Sequence, residues 1–93
     1  MKRYIEYLVE LRQKYNLFSI ERAAADTEVS VQTVRNFERG RSMNAKLIRY
    51  YVQTLYLELR YNDSYQADRL GVSKHHIKLD LDALVEGFFG KEN

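Results

Sequence analysis

The chain contains no cysteine and no proline, and only four glycines and two histidines among 93 residues. Without cysteine there is neither a disulfide framework nor a cysteine zinc site, and a structural metal would have to rely on carboxylates. Without proline, and with glycine confined to Gly40, Gly71, Gly87 and Gly90, the chain has few strong breakers and reads as helical. No apolar run exceeds three residues, as at Tyr50–Val52, and Lys2, Arg3 and Glu6 charge the first segment. Neither a membrane span nor a signal peptide is therefore expected; the expected compartment is the cytoplasm, with no membrane partner. What is present is a composition 45% hydrophobic and 30% charged, enough to build a core and too apolar for disorder. At this length only about two-thirds of the surface can be buried on folding, which argues against a large substrate cavity.

The net charge of +2 is unevenly spread. Residues 1–53 hold ten Lys/Arg against six Asp/Glu, whereas residues 54–93 hold five against seven. Between Val34 and Gln53 the cations Arg35, Arg39, Arg41, Lys46 and Arg49 face a single acid, Glu38. A local surplus of this kind suits a phosphate-facing surface, and equally a solvated basic face.

Apolar spacing predicts an amphipathic helix over residues 3–15, carrying Ile5, Leu8, Val9, Leu11 and Tyr15 inward. Ser19 is placed to cap a helix running to Thr27, and Ser30 a helix over Val31–Arg39 closed by Gly40. A longer helix is expected from Asn44 to about Asn62. Asp63 and Gln66 have the spacing of a capping box for a fifth helix, which Gly71 ends. Ser73 is expected to cap a sixth, followed by a frayed tail over Gly87–Asn93.

Residues 19–40 read SIERAAADTEVSVQTVRNFERG, two short helices joined by a turn. Small Ala24 suits a close helix crossing, and Val29, Val34 and Phe37 lock the second helix across the first. That helix then presents Val31, Gln32, Arg35, Asn36 and Arg39 outward, a shape able to enter a major groove about 12 Å wide. The stretch resembles the helix-turn-helix of the lambda repressor and Cro (XRE-like) family, on Ser19, Ala24, Val29, Ser30, Thr33, Val34, Glu38, Arg39 and Gly40. With the flanking helices the resemblance covers residues 3–57. It implies base reading by Val31, Gln32 and Asn36, with Arg35 on the same face. It implies phosphate contact by Ser30, Thr33, Arg35 and Arg39, which Arg41, Lys46 and Arg49 extend. Gln and Asn can pair bidentately with adenine, and Val can meet a thymine methyl. Two positions depart from the family pattern. Ile20 stands where a phosphate-contacting Gln is usual, and Glu28 where the turn favours glycine.

Part of the pattern recurs 43 residues later, with Ala24, Val29, Ser30 and Val34 matched by Ala67, Val72, Ser73 and Ile77. The segment GVSKHHIKLDLDALVEG resembles a DeoR-like recognition helix over residues 64–86, on Ile77, Lys78, Leu79, Asp80, Leu81 and Leu84. A second DNA-reading element would use Ser73, Lys74, His75, His76 and Lys78; a packing or dimerisation element is the alternative. His76 and Asp80, one turn apart, make too poor a ligand set for a metal. No carboxylate pair, Ser-His-Asp order or Gly-rich phosphate loop is evident, so neither catalysis nor a cofactor is expected. Tyr4, Tyr7, Tyr50, Tyr51, Tyr56, Tyr61 and Tyr65 gather on helices away from the reading helix, as core or as an interface.

The expected fold is all-α, a compact bundle of about six helices containing one helix-turn-helix, or two in tandem. Residues 1–57 form the DNA-binding part, and residues 58–93 a helical extension, dimerisation element or second helix-turn-helix. The expected function is that of a homodimeric, sequence-specific transcriptional regulator, a repressor of a bacterium, phage or mobile element, acting on a double-stranded DNA operator. The competing expectation is an antitoxin or phage-encoded inhibitor that holds a partner protein through its Tyr-rich and C-terminal helices.

Overall fold

A computed structural model describes residues 2–90 of the chain, and all regular structure among them is helical: α1 Lys2–Tyr15, α2 Ile20–Thr27, α3 Val31–Glu38, α4 Ala45–Tyr61, α5 Asp63–Leu70 and α6 Lys74–Phe89. Helix starts follow local chemistry. Side-chain oxygens of Ser19, Ser30, Asn44 and Ser73 each accept from the backbone N–H three residues on, satisfying one of the donors a helix start leaves open. Ile5, Leu8, Val34, Phe37, Leu47, Tyr51, Leu55, Ile77 and Leu84 fill a single core to which α1, α3, α4 and α6 all contribute. The expected boundary at residue 57 falls inside α4, and α6 packs on both α4 and α1.

The recurrence extends to the backbone of both three-helix units. Lys2 and Ala45, Ile20 and Asp63, and Val31 and Lys74 open corresponding helices, each pair 43 residues apart. Ile5 and Ile48, Ala24 and Ala67, and Val34 and Ile77 are buried at matching positions. The two turns share one conformation. Glu28 (φ 60, ψ 41) and Gly71 (φ 70, ψ 27) are left-handed, and Ser30 (φ −74, ψ 156) and Ser73 (φ −80, ψ 155) are extended. In each turn the following valine, Val29 or Val72, donates its N–H to the carbonyl of Ala24 or Ala67 at 3.1 Å, closing the helix end.

At Glu28 the left-handed backbone carries a Cβ that glycine would spare, at a cost of about 1 kcal/mol. Glu28→Gly is therefore expected to raise thermal stability by about 1 kcal/mol, or roughly 4–8 °C in Tm for a domain of this size. A calorimetric scan showing no rise would contradict this account of the turn.

Three expectations need correction. No capping box opens α5, because only Asn62 separates α4 from α5: Asp63 is already helical, Asn62 makes no side-chain cap, and buried Gln66 accepts from Arg69 instead. The tail does not fray at Gly87, because α6 continues through it to Phe89; a Cβ there would collide with the ring of Tyr4, whose hydroxyl donates to the Leu84 carbonyl at 2.6 Å. The rest of that segment, residues 91–93, lies outside the described residues. Finally, α3 stops at Glu38, with Arg39 as its cap and Gly40 left-handed beyond it (φ 77).

Candidate nucleic-acid interface

The outer face of α3 is built by what holds its inner face. Val34 and Phe37 are fully buried, and Phe37 meets Tyr51 edge-on at 5.1 Å between ring centroids. At the end of the helix, Arg12 of α1 grips Glu38 with two bonds, Nε to Oε2 at 2.5 Å and Nη2 to Oε1 at 3.0 Å. The Tyr51 hydroxyl donates to Oε2 at 2.5 Å, and Arg12 Nη1 also reaches the Phe18 carbonyl at 3.2 Å. One carboxylate thus ties α3 to α1, α4 and the loop before α2. Burial, reinforced by the bond to Glu38, pushes the Tyr51 phenol well above its ordinary value. Burial would lower the Arg12 pKa, but Glu38 outweighs it and keeps the guanidinium charged.

With its inner face fixed, α3 turns Gln32, Arg35 and Arg39 to solvent, with Val31, Thr33 and Asn36 half-exposed beside them. Gln32 Nε2 donates to Asn36 Oδ1 at 3.1 Å across one turn. The bond leaves the carbonyl oxygen of Gln32 and the amide hydrogens of Asn36 free to pair with a base edge, and an adenine offers the complementary donor and acceptor. Ser30 is occupied as a cap: its Oγ accepts from the Thr33 N–H at 3.0 Å and lies 2.8 Å from Thr33 Oγ1. Arg35 and Arg39 border a shallow groove of about 260 Å³ floored by Val9 and Ile20. Ile20, one of the two departures from the family pattern, thereby serves packing.

The remaining cations differ from one another. Arg41 and Arg49 are exposed, whereas Lys46 Nζ donates to the Thr27 carbonyl at 2.7 Å, satisfying the open end of α2. Nearby acid is partly neutralised, since Asp26 accepts from the Tyr50 hydroxyl at 2.6 Å and pairs with Arg22 at 3.4 Å.

In the second unit Lys74, His75, His76 and Lys78 are exposed near the start of α6. Ser73 caps the helix, with its Oγ 3.1 Å from His76 Nδ1, and Lys78 pairs with Asp82 at 3.0 Å. Asp80 turns away from His76 toward α1. There it receives Lys14 Nζ at 2.8 Å, the Tyr15 hydroxyl at 2.6 Å and the Tyr7 hydroxyl at 3.2 Å. Burial pushes the Asp80 carboxyl up, but these donors prevail and hold it below the usual carboxylate value. Neither carboxylate network, at Glu38 or Asp80, is signalled by the apolar pattern, which assigns Arg12 and Lys14 to the solvent side.

Among the described residues no three potential metal ligands converge, and no helix is long and apolar enough to cross a membrane. No known protein family, curated protein or solved structure matches the chain, so a functional reading has to rest on its own geometry.

Proposed function

We propose that the protein is a sequence-specific double-stranded DNA-binding regulator that reads an operator with α3, acting as a homodimeric repressor in the cytoplasm. The observation that carries this reading is the presentation of α3: a short helix, anchored by Val34, Phe37 and Glu38, turns a linked Gln32–Asn36 amide pair and the exposed Arg35 and Arg39 to solvent on one face. That combination supplies base-edge donors and acceptors beside phosphate-seeking cations, the two contact types that specific recognition needs. A single reading helix contacts few base pairs, and a two-fold pair on half-sites about 34 Å apart doubles the contact. Capture of a partner protein by the Tyr-rich helices draws less support. The hydroxyls of Tyr4, Tyr7, Tyr15, Tyr50 and Tyr51 are all bonded within the fold.

Selection from random DNA followed by footprinting tests the reading. A palindromic consensus is expected, and Gln32→Ala with Asn36→Ala should reduce its preference over unrelated DNA by about 1–3 kcal/mol per lost base contact, with the circular dichroism melt unchanged. Failure of any sequence to enrich, or unaltered preference in the double variant, would sink it.

A further inference from the structure

The second unit keeps the turn of the first but not its outer face. At the positions of Gln32, Arg35, Asn36 and Arg39, α6 carries His75, Lys78, Leu79 and Asp82, so an apolar side chain and an acid replace an amide and a phosphate-seeking cation. Moreover α6 runs on beyond Leu81, the counterpart of Glu38 where α3 ends, adding Asp82, Val85, Glu86 and Phe89. The helix is thus basic in its first half, at Lys74 and Lys78, and acidic in its second, at Asp82 and Glu86. Beside it lies an open groove of about 650 Å³ between α6 and α4, with Tyr56, Ile77, Leu81 and Val85 among its walls. Leu79 is 50% exposed and Phe89 77%.

We propose that α6 docks antiparallel on α6 of a second copy of the chain, with the two-fold axis at the level of residue 80. This rests on the homodimer included in the reading above and specifies its contact surface. Charge complementarity selects the occupant. A helix with a basic start and an acidic end is complementary to itself only when reversed, and a two-fold interface reverses it. In this register Lys78 faces the partner's Asp82, and Asp82 faces the partner's Lys78. Lys74 and Glu86 pair likewise at the flanks, and Leu79 lies against the partner's Leu81 at the centre. The Lys78–Asp82 pair within one helix spans a single turn and is exposed at 70% and 63%, so exchanging it for an intermolecular pair disturbs nothing inside the fold. An acidic half-helix is a poor neighbour for phosphate, which favours a protein partner over a second DNA contact here.

Sedimentation equilibrium of the full chain without DNA provides the test. Lys78→Glu alone and Asp82→Lys alone should each weaken self-association at least about tenfold, because each sets like charges across the axis. Mixing the two variants should restore association as a heterodimer. The carboxylate introduced at position 78 of one copy then meets the ammonium introduced at position 82 of the other, while the unaltered Asp82 of the first copy meets the unaltered Lys78 of the second. The like-charge pairs within each helix persist in the mixture, so rescue requires contact between chains. A dimer indifferent to both substitutions, or a mixture that stays monomeric, overturns the α6 contact alone. A wild-type chain that stays monomeric at every concentration overturns the homodimer as well. Variants that associate normally but lose operator affinity would show that α6 reads DNA instead. Gln32→Ala/Asn36→Ala, which tests the α3 reading, should leave the association constant unchanged.

Discussion

Glu38→Ala is expected to destabilise the protein by about 3–5 kcal/mol, the largest stability loss available from one side chain outside the apolar core. Its carboxylate accepts from Arg12 and Tyr51, and both sides of the ion pair are largely shielded, with side chains 12% and 9% exposed. Truncation leaves a guanidinium and a phenol hydroxyl with no acceptor in a partly dry site, and the penalty for a stranded charge exceeds the net value of the pair that held it. Against a total stability of about 5–15 kcal/mol typical of small domains, such a loss leaves little margin at physiological temperature. Glu38→Gln preserves an oxygen that can accept, so it should cost less than the alanine variant. Tyr51→Phe, which removes one donor and little volume, should cost about 1 kcal/mol. Urea denaturation of the three variants checks the ranking. A loss under about 1 kcal/mol for Glu38→Ala would show that α3 is held by Val34 and Phe37 alone.

What could be read in advance follows from the range of each interaction. Helix starts at Ser19, Ser30, Asn44 and Ser73 were legible because a cap is decided within three residues. The inward stripes were legible because burial repeats with the helical period. The same period placed Gln32, Arg35 and Arg39 on the outer face of α3, and the structure exposes them. What escaped was decided between residues far apart in the chain. Arg12 meets Glu38 from 26 positions away, and Asp80 meets Tyr15 from 65, so charges that a periodic pattern sends to water are drawn inward by partners it cannot see. Gly87 has the look of a stop signal, yet its small size serves the ring of Tyr4 across the bundle. The spacing of Asp63 and Gln66 promised a cap but ignored how little chain joins α4 to α5. The repeat behaved differently: a few matching residues near the turn marked a backbone recurrence that spans both units, because turn conformation depends on few positions while helix faces are free to diverge.

Replacing Arg35, Arg39, Arg41 and Arg49 together with Ala should produce the largest functional effect, a drop in the salt dependence of operator binding. Each phosphate contact contributes about 0.9 to the slope of log affinity against log salt, so four lost contacts make the slope shallower by between about three and four. All four side chains are exposed, and no buried contact is lost with them. The thermal midpoint should therefore move little. Lys46 separates charge from structure in the same experiment. Its ammonium donates to the Thr27 carbonyl at the end of α2, so Lys46→Ala should lower stability by about 1 kcal/mol through the lost cap while changing the slope less than Arg49→Ala does. Fluorescence anisotropy titrations over a series of salt concentrations give the slopes, and melts of the same samples give the stabilities. If Lys46→Ala flattened the slope as much as Arg49→Ala without lowering stability, the lysine would belong to the phosphate surface and its bond to α2 would be incidental. If the four-arginine variant kept the wild-type slope, the basic face of α3 and α4 would not be the face that meets DNA.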